Sequence, residues 1–295
     1  MAAEPLFVAF TADVDPDANR AVPGRADAVS PAGDRRQHVR LDACFDGLPI
    51  ALEALQDGGL PATLFWEGRT LGQLRARRPA LFAALREAPS LEHGCHGHEH
   101  EDFAGKVSGL PLGADQTGAV LERAGAAFAD AFGAAPRGFR APYCRLTPAL
   151  AQALAAAGYA YDASLTRGPA DEERLRPYKL PEAPALYELP LCSARDTRGK
   201  RISCYLHQLF EGNRPVADYV RLVTSVRAVC GGGLLQIALH PWHLIVSAQG
   251  RPLALHGSGP ASLLLRELVR QVAALDGVAF TTCGTYLARF LQSGR

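Results

Sequence analysis

The sequence lacks any apolar run near the roughly 20 residues that a membrane-spanning helix needs. Its start, Met1-Ala2-Ala3-Glu4-Pro5, lacks the basic and apolar regions of a secretory signal. Net charge is nearly absent, at +1 from 31 basic and 30 acidic residues. No surplus therefore recruits nucleic acid or an anionic membrane, and the tract Arg75-Ala76-Arg77-Arg78 reads as a solvated helix face. No CxxC pair occurs among the seven cysteines, Cys44, Cys95, Cys144, Cys192, Cys204, Cys230 and Cys283. An odd, scattered set suits reduced thiols better than a disulfide framework. The expected location is cytoplasmic. Internal repeats, low-complexity tracts and convincing linkers are missing as well, so residues 1–295 are expected to form a single catalytic domain.

What is present is an ordinary globular composition, 48% hydrophobic and 21% charged over 295 residues. That length buries a core without staples. Short apolar strands alternate with Ala/Leu-rich helices. The run Phe7-Val8-Ala9-Phe10-Thr11 has the continuous apolarity of a strand buried on both faces. Further strands are predicted over 62–66, 138–140, 159–161, 186–189, 235–240 and 278–282. Helices are predicted over 45–56, 79–87, 115–132, 148–157, 216–230 and 261–275, several closed by glycine. Segments 16–37 and 166–184 read as long loops. The alternation predicts an α/β fold with a mostly parallel sheet, open or closed into a barrel.

Four segments carry candidate chemistry, each at or just beyond a strand end, where such folds place active sites. In Thr11-Ala12-Asp13-Val14-Asp15, residues two apart share one face, so Asp13 and Asp15 point into the same mouth. Like charges side by side call for a cation or a proton between them; the bland alternative is an Asp/Pro turn. In Glu92-His93-Gly94-Cys95-His96-Gly97-His98-Glu99-His100, four of the nine histidines fall close together. His96 and His100, four apart, would stack on one face of a helical turn and suit capture of a divalent metal, while His93 and His98 are out of phase. Arg140, in Gly138-Phe139-Arg140-Ala141-Pro142-Tyr143, needs a carboxylate partner at the end of a buried strand. It reads equally as a structural ion pair or as the group that orients an aspartate. His240, in Leu239-His240-Pro241-Trp242-His243, ends an apolar strand as a core histidine or as a proton donor.

Taken in order, these segments resemble the polysaccharide deacetylases, the NodB-homology proteins of carbohydrate esterase family four. The correspondence runs through Thr11 to Asp15, His96 to His100, Arg140 to Tyr143, Tyr161-Asp162-Ala163-Ser164, and Leu239-His240, with Pro61-Ala62-Thr63-Leu64-Phe65 as the second strand. Two features depart from the common pattern. The carboxylates stand as Asp-Val-Asp, and Gly97 replaces the usual Ser or Thr, as in a branch containing peptidoglycan deacetylases and a cofactor-independent allantoinase.

The resemblance implies a distorted (β/α) barrel of about seven parallel strands. It implies a metal held by Asp15, His96 and His100, zinc first, with cobalt, nickel or manganese acceptable to the same donors. Asp13 would be the base, oriented by Arg140. His240 would be the acid, kept charged by Asp162, with the Tyr143 backbone N–H facing an oxyanion. Tyr143 and Trp242 would wall the acyl pocket. The implied reaction is hydrolysis of a non-peptide C–N bond, first N-deacetylation of an amino sugar or related metabolite. The alternatives are another linear or cyclic amide, or a non-catalytic glycan- or metabolite-binding member. A metal or redox module on the His/Cys stretch is a third reading. Expected partners are a small molecule or glycan, without nucleic acid or membrane; a homo-oligomer is left open.

Overall fold

A computed structural model describes residues 4–16, 35–168, 175–196, 198–253 and 259–294, with backbone alone for 35–39. In chain order the elements are β1 (Leu6–Val14), α1 (Arg35–Gln56), β2 (Ala62–Trp66), α2 (Gly68–Arg77), α3 (Pro79–Glu87), β3 (Leu91–Cys95) and α4 (Ala114–Phe132). Then come β4 (Gly138–Phe139), α5 (Pro148–Ala156), β5 (Tyr161–Asp162), β6 (Thr166–Arg167), β7 (Tyr178–Leu180), β8 (Ala183–Glu188), β9 (Leu191–Arg195) and β10 (Arg201–Ser203). The chain continues through α6 (His207–Phe210), α7 (Val216–Val229), β11 (Leu234–Leu239), α8 (Pro260–Ala273), β12 (Val278–Phe280) and α9 (Cys283–Gln292).

The main sheet has nine strands in the order β11-β1-β2-β3-β4-β5-β8-β7, with β12 also paired to β1. All the pairings along it are parallel except that of β7 with β8. It curls into a half-barrel, the NodB-like (β/α) architecture. A second sheet, β10-β9-β6, stands beside it and reaches β11 through a bridge between Tyr205 and Ala238.

Strand parity sorts the side chains. Along β1, Leu6, Val8, Phe10, Ala12 and Val14 join the large core beneath the helices, while Phe7 and Ala9 join a smaller cluster inside the curl. Thr11 and Asp13 continue that inner row, and Asp15 follows two residues on. Amphipathic helices cover the outer face: Leu265, Leu268, Val269 and Val272 of α8 are buried, as are Leu222, Val223 and Val226 of α7.

Most predicted elements stand where expected, and the differences have physical causes. Strand β3 is missing from the sequence-based reading because Glu92 and Gly94 interrupt its apolarity. Its inner face carries polar traffic, since Glu92 accepts hydrogen bonds from Thr63 Oγ1, Tyr161 Oη and the Gly284 N–H. Helix α1 begins at Arg35 rather than near residue 45, and α2 and α9 are additional. Of the loop expected over 16–37, residues 17–34 lie outside the described residues. The loop expected over 166–184 contains β6 and β7, with 169–174 outside the described residues. Among the described residues no helix is long and apolar enough to cross a membrane, and all seven cysteines are free.

Candidate metal-centred active site

Asp15, His96 and His100 converge. One ligand atom from each lies within 4.8 Å of the others, and all three residues are buried. Asp15 leaves β1 at its C-terminal end, and His96 leaves β3 two strands away, with its Nε2 3.6 Å from Asp15 Oδ2. The His96 Nδ1–H donates to the Arg140 carbonyl at 2.8 Å, which fixes the tautomer and leaves Nε2 as the lone-pair donor. Burial lowers the His96 pKa to about 3, so the ring stays neutral and ready for a cation.

The two histidines do not meet across a helical turn, as their spacing suggested. Residues 96–100 form a bend instead, with Gly97 at φ +75° and His100 at φ +55°. Glu101 ties the bend by accepting the backbone N–H groups of His98 and Glu99, both at 3.0 Å. A Cβ on Gly97 would stand 2.7 Å from Glu101 Oε2, so the chain needs glycine where the family pattern has Ser or Thr. The imidazole centroids end 5.4 Å apart. His93 faces the outer layer, stacked on Phe132 at 4.3 Å and accepting from the Trp66 indole at 3.0 Å.

Asp13 sits beside this cluster with both oxygens engaged. Oδ1 accepts from Arg140 at 2.7 Å, and Oδ2 accepts from the Tyr205 phenol at 2.5 Å. Burial alone would raise this carboxyl, but Arg140, His96, His240 and the Tyr205 hydrogen bond outweigh it and hold it well below the usual carboxylate range. Arg140 has partners on all three of its nitrogens: it also donates to Thr11 Oγ1, the Ala163 carbonyl and Gln236 Oε1. Gln236 then donates to the Leu189 carbonyl at 2.7 Å, reaching from β11 across the open side of the curl.

His240 follows β11 on the same inner row as Gln236 and Ala238. Its Nε2 lies 3.9 Å from Asp13 Oδ2 and 3.8 Å from Asp15 Oδ2. The carboxylates beside His240 are therefore these two and not Asp162, which corrects the expected pairing. On β5, Tyr161 and Ala163 face the interior, so Asp162 faces the opposite way. There it accepts from the Ser164 N–H and hydroxyl and meets Glu188 of β8. Burial, followed by the neighbouring Asp162 charge, pushes Glu188 well above the carboxylate range, and burial lifts Asp162 to about 6. Ser164 Oγ in turn accepts the Ala141 N–H at 2.7 Å, so this outer pair braces the loop after Arg140.

The aromatic residues divide. Tyr143, half-buried at φ +58°, stands edge-on to His100 at 4.6 Å. Trp242 is buried between the Arg40 guanidinium, 4.6 Å from its ring, and the His243 ring at 4.5 Å. It backs His240 at 5.7 Å rather than forming an open wall. Tyr205, Gln236 and Thr11 were not among the sequence candidates. Gln236 was detectable as one polar residue in an apolar strand, in phase with His240; nothing in the sequence around Tyr205 singles it out.

Against this geometry, residues 42–161 match the sequence model of the polysaccharide deacetylase family. No curated protein matches the sequence. Among solved structures, a putative polysaccharide deacetylase from Mycobacterium smegmatis is similar, with a TM-score of 0.69 at 23% identity, covering 99% of this chain and 92% of that one. A probable polysaccharide deacetylase from Pseudomonas aeruginosa PAO1 gives 0.64 at 16% identity, covering 98% and 92%. The PuuE allantoinase gives 0.66 at 15% identity, covering 98% and 91%. These solved structures share the curled parallel-sheet fold of this chain. The Asp-His-His cluster fits a divalent ion: one carboxylate and two imidazoles, buried and close, is the donor set of open catalytic sites.

Proposed function

We propose that this chain is a metal-dependent amide hydrolase, a single catalytic domain that cleaves a non-peptide C–N bond, first of all the N-acetyl group of an amino-sugar metabolite. The observation that carries the reading is the placement of a locked, ionised Asp13 and of His240 Nε2 next to the Asp15–His96–His100 cluster. A binding protein needs neither a base nor an acid at that point.

A divalent ion held by Asp15, His96 and His100, zinc or a metal of similar preference, supplies Lewis acidity toward the substrate carbonyl and acidifies a water. The protein groups do the rest. Asp13, kept ionised by Arg140, accepts the proton of the attacking water as its oxygen bonds to the carbonyl carbon. The Tyr143 N–H faces the developing oxyanion, a kind of contact worth roughly 3–4 kcal/mol. The C–N bond then breaks, and His240 gives its proton to the departing nitrogen, so an acid and a free amine leave. Scattered free cysteines and near-zero net charge support a cytoplasmic small molecule or glycan precursor as substrate.

The test is acetate release from N-acetylated amino sugars by metal-loaded protein, with Asp13→Asn as control. Turnover abolished in that variant supports the reading. Turnover of a cyclic amide instead would relocate the substrate within the same chemistry. Full metal occupancy with no product from a broad amide panel would overturn it.

A further inference from the structure

Tyr205 lies outside every motif that marks the site, yet it touches both proposed proton-transfer groups. Its phenol donates to Asp13 Oδ2 at 2.5 Å, and its ring stacks on His240 with centroids 5.7 Å apart and planes at 27°. Its backbone is pinned to the strand that carries His240. Leu206 N–H donates to the Ala238 carbonyl at 2.8 Å, Ala238 N–H donates to the Cys204 carbonyl at 3.0 Å, and Tyr219 Oη donates to the Tyr205 carbonyl at 3.1 Å. The Cys144 thiol sits 3.2 Å from the phenol oxygen. A phenol has one proton, and it goes to Asp13, so the thiol is the donor in that second contact.

A carboxylate held at one oxygen still turns about its last torsion, which has broad wells. Arg140 holds Oδ1; the phenol holds Oδ2, which is also the oxygen facing His240 Nε2. We propose that Tyr205 is a positioning residue that fixes the plane of the Asp13 carboxylate and its separation from the His240 ring, so that base and acid address the two ends of one reacting bond. Oδ2 keeps a second lone-pair direction for the incoming water proton. Burial, followed by the Asp13 charge, pushes the phenol well above its usual pKa, so it remains a donor.

This inference rests on the amide-hydrolase reading for its kinetic consequence but not for its structural one. Tyr205→Phe keeps the ring and removes the hydroxyl. The expected result is a kcat lowered about 10- to 100-fold, with KM and metal content as in wild type and a melting temperature lowered by a few degrees as Asp13 Oδ2 loses a buried partner. Crystals of Tyr205→Phe are expected to show the Asp13 carboxylate rotated from its wild-type plane. If Asp13 and His240 superpose on the wild-type positions, the inference is overturned, whatever the activity. A raised KM with unchanged kcat would make Tyr205 a substrate wall and also overturn it. Absence of turnover in the wild type itself would sink the hydrolase reading, while the crystal comparison would still decide the role of Tyr205.

Discussion

The Arg140 guanidinium and the Asp13 carboxylate meet at 2.7 Å with both side chains sealed from solvent. Two desolvated charges are tolerable only while each keeps its partners, and Arg140 spends its donors on Asp13, Thr11, Gln236 and the Ala163 carbonyl.

Replacing Arg140 by Leu strands Asp13 as an unpaired buried charge. We expect a loss of about 3–5 kcal/mol in urea unfolding, together with loss of activity. Arg140→Lys should recover little, because one ammonium cannot reach four acceptors spread around a planar fork. A stable, active Lys variant would contradict this account of the clamp.

Metal should stabilise the fold through Asp15, His96 and His100. At 100 times the dissociation constant, binding adds about 2.7 kcal/mol, so chelation should lower the melting temperature of the loaded protein by several degrees. His100→Ala should melt at one temperature with or without chelator. A metal-dependent shift that survives in this variant would place the ion elsewhere.

The Asp162–Glu188 pair makes stability depend on pH. Burial raises both carboxyls above their unfolded values, Asp162 to about 6. A raised folded pKa means that the folded state holds protons the unfolded chain has released, so this stabilisation is full at low pH; the Asp162 share is lost as pH rises through about 6, and the Glu188 share at higher pH. Glu188→Gln leaves one carboxyl in place of two. Relative to wild type, the variant should therefore gain stability between pH 5 and pH 8, read as a rising difference in urea midpoint. A constant difference would show that the two carboxyls do not share their proton.

Gly47 of α1 lies against the loop that carries His240. A Cβ there would stand 1.9 Å from the Pro241 carbonyl oxygen. Gly47→Ala should cost about 1–3 kcal/mol through forced backbone movement. It should also lower kcat by displacing His240, while metal content stays intact because the three ligands leave other elements. Wild-type kcat in a destabilised variant would uncouple that loop from the chemistry.

Much of the sheet was legible because parallel strands buried on both faces leave apolar runs, as in β1 and β11. The Asp13–Asp15 pairing followed from strand parity alone. The same rule, applied to Tyr161 and Ala163, would have turned Asp162 away from His240; the expected contact came from motif order rather than from phase. The His96–His100 approach was anticipated for the wrong local reason, since a left-handed bend at Gly97 and the reach of Glu101 do what a helical turn was expected to do. Strand β3 was hidden because Glu92 serves a polar interior. Tyr205 was invisible because its partner lies 192 positions away in the chain.

The Gln236 amide has a mechanical consequence. Where a closed barrel would carry a backbone ladder, this fold crosses its open flank with a side chain that grips Arg140 on one side and the Leu189 carbonyl on the other. Any breathing of that flank should tug on the guanidinium, and through it on Asp13. The flank and the Arg140–Asp13 pair are therefore expected to open together, so that amide exchange at Leu189, Ala238 and Ala163 should quicken together when Gln236 is replaced by Leu.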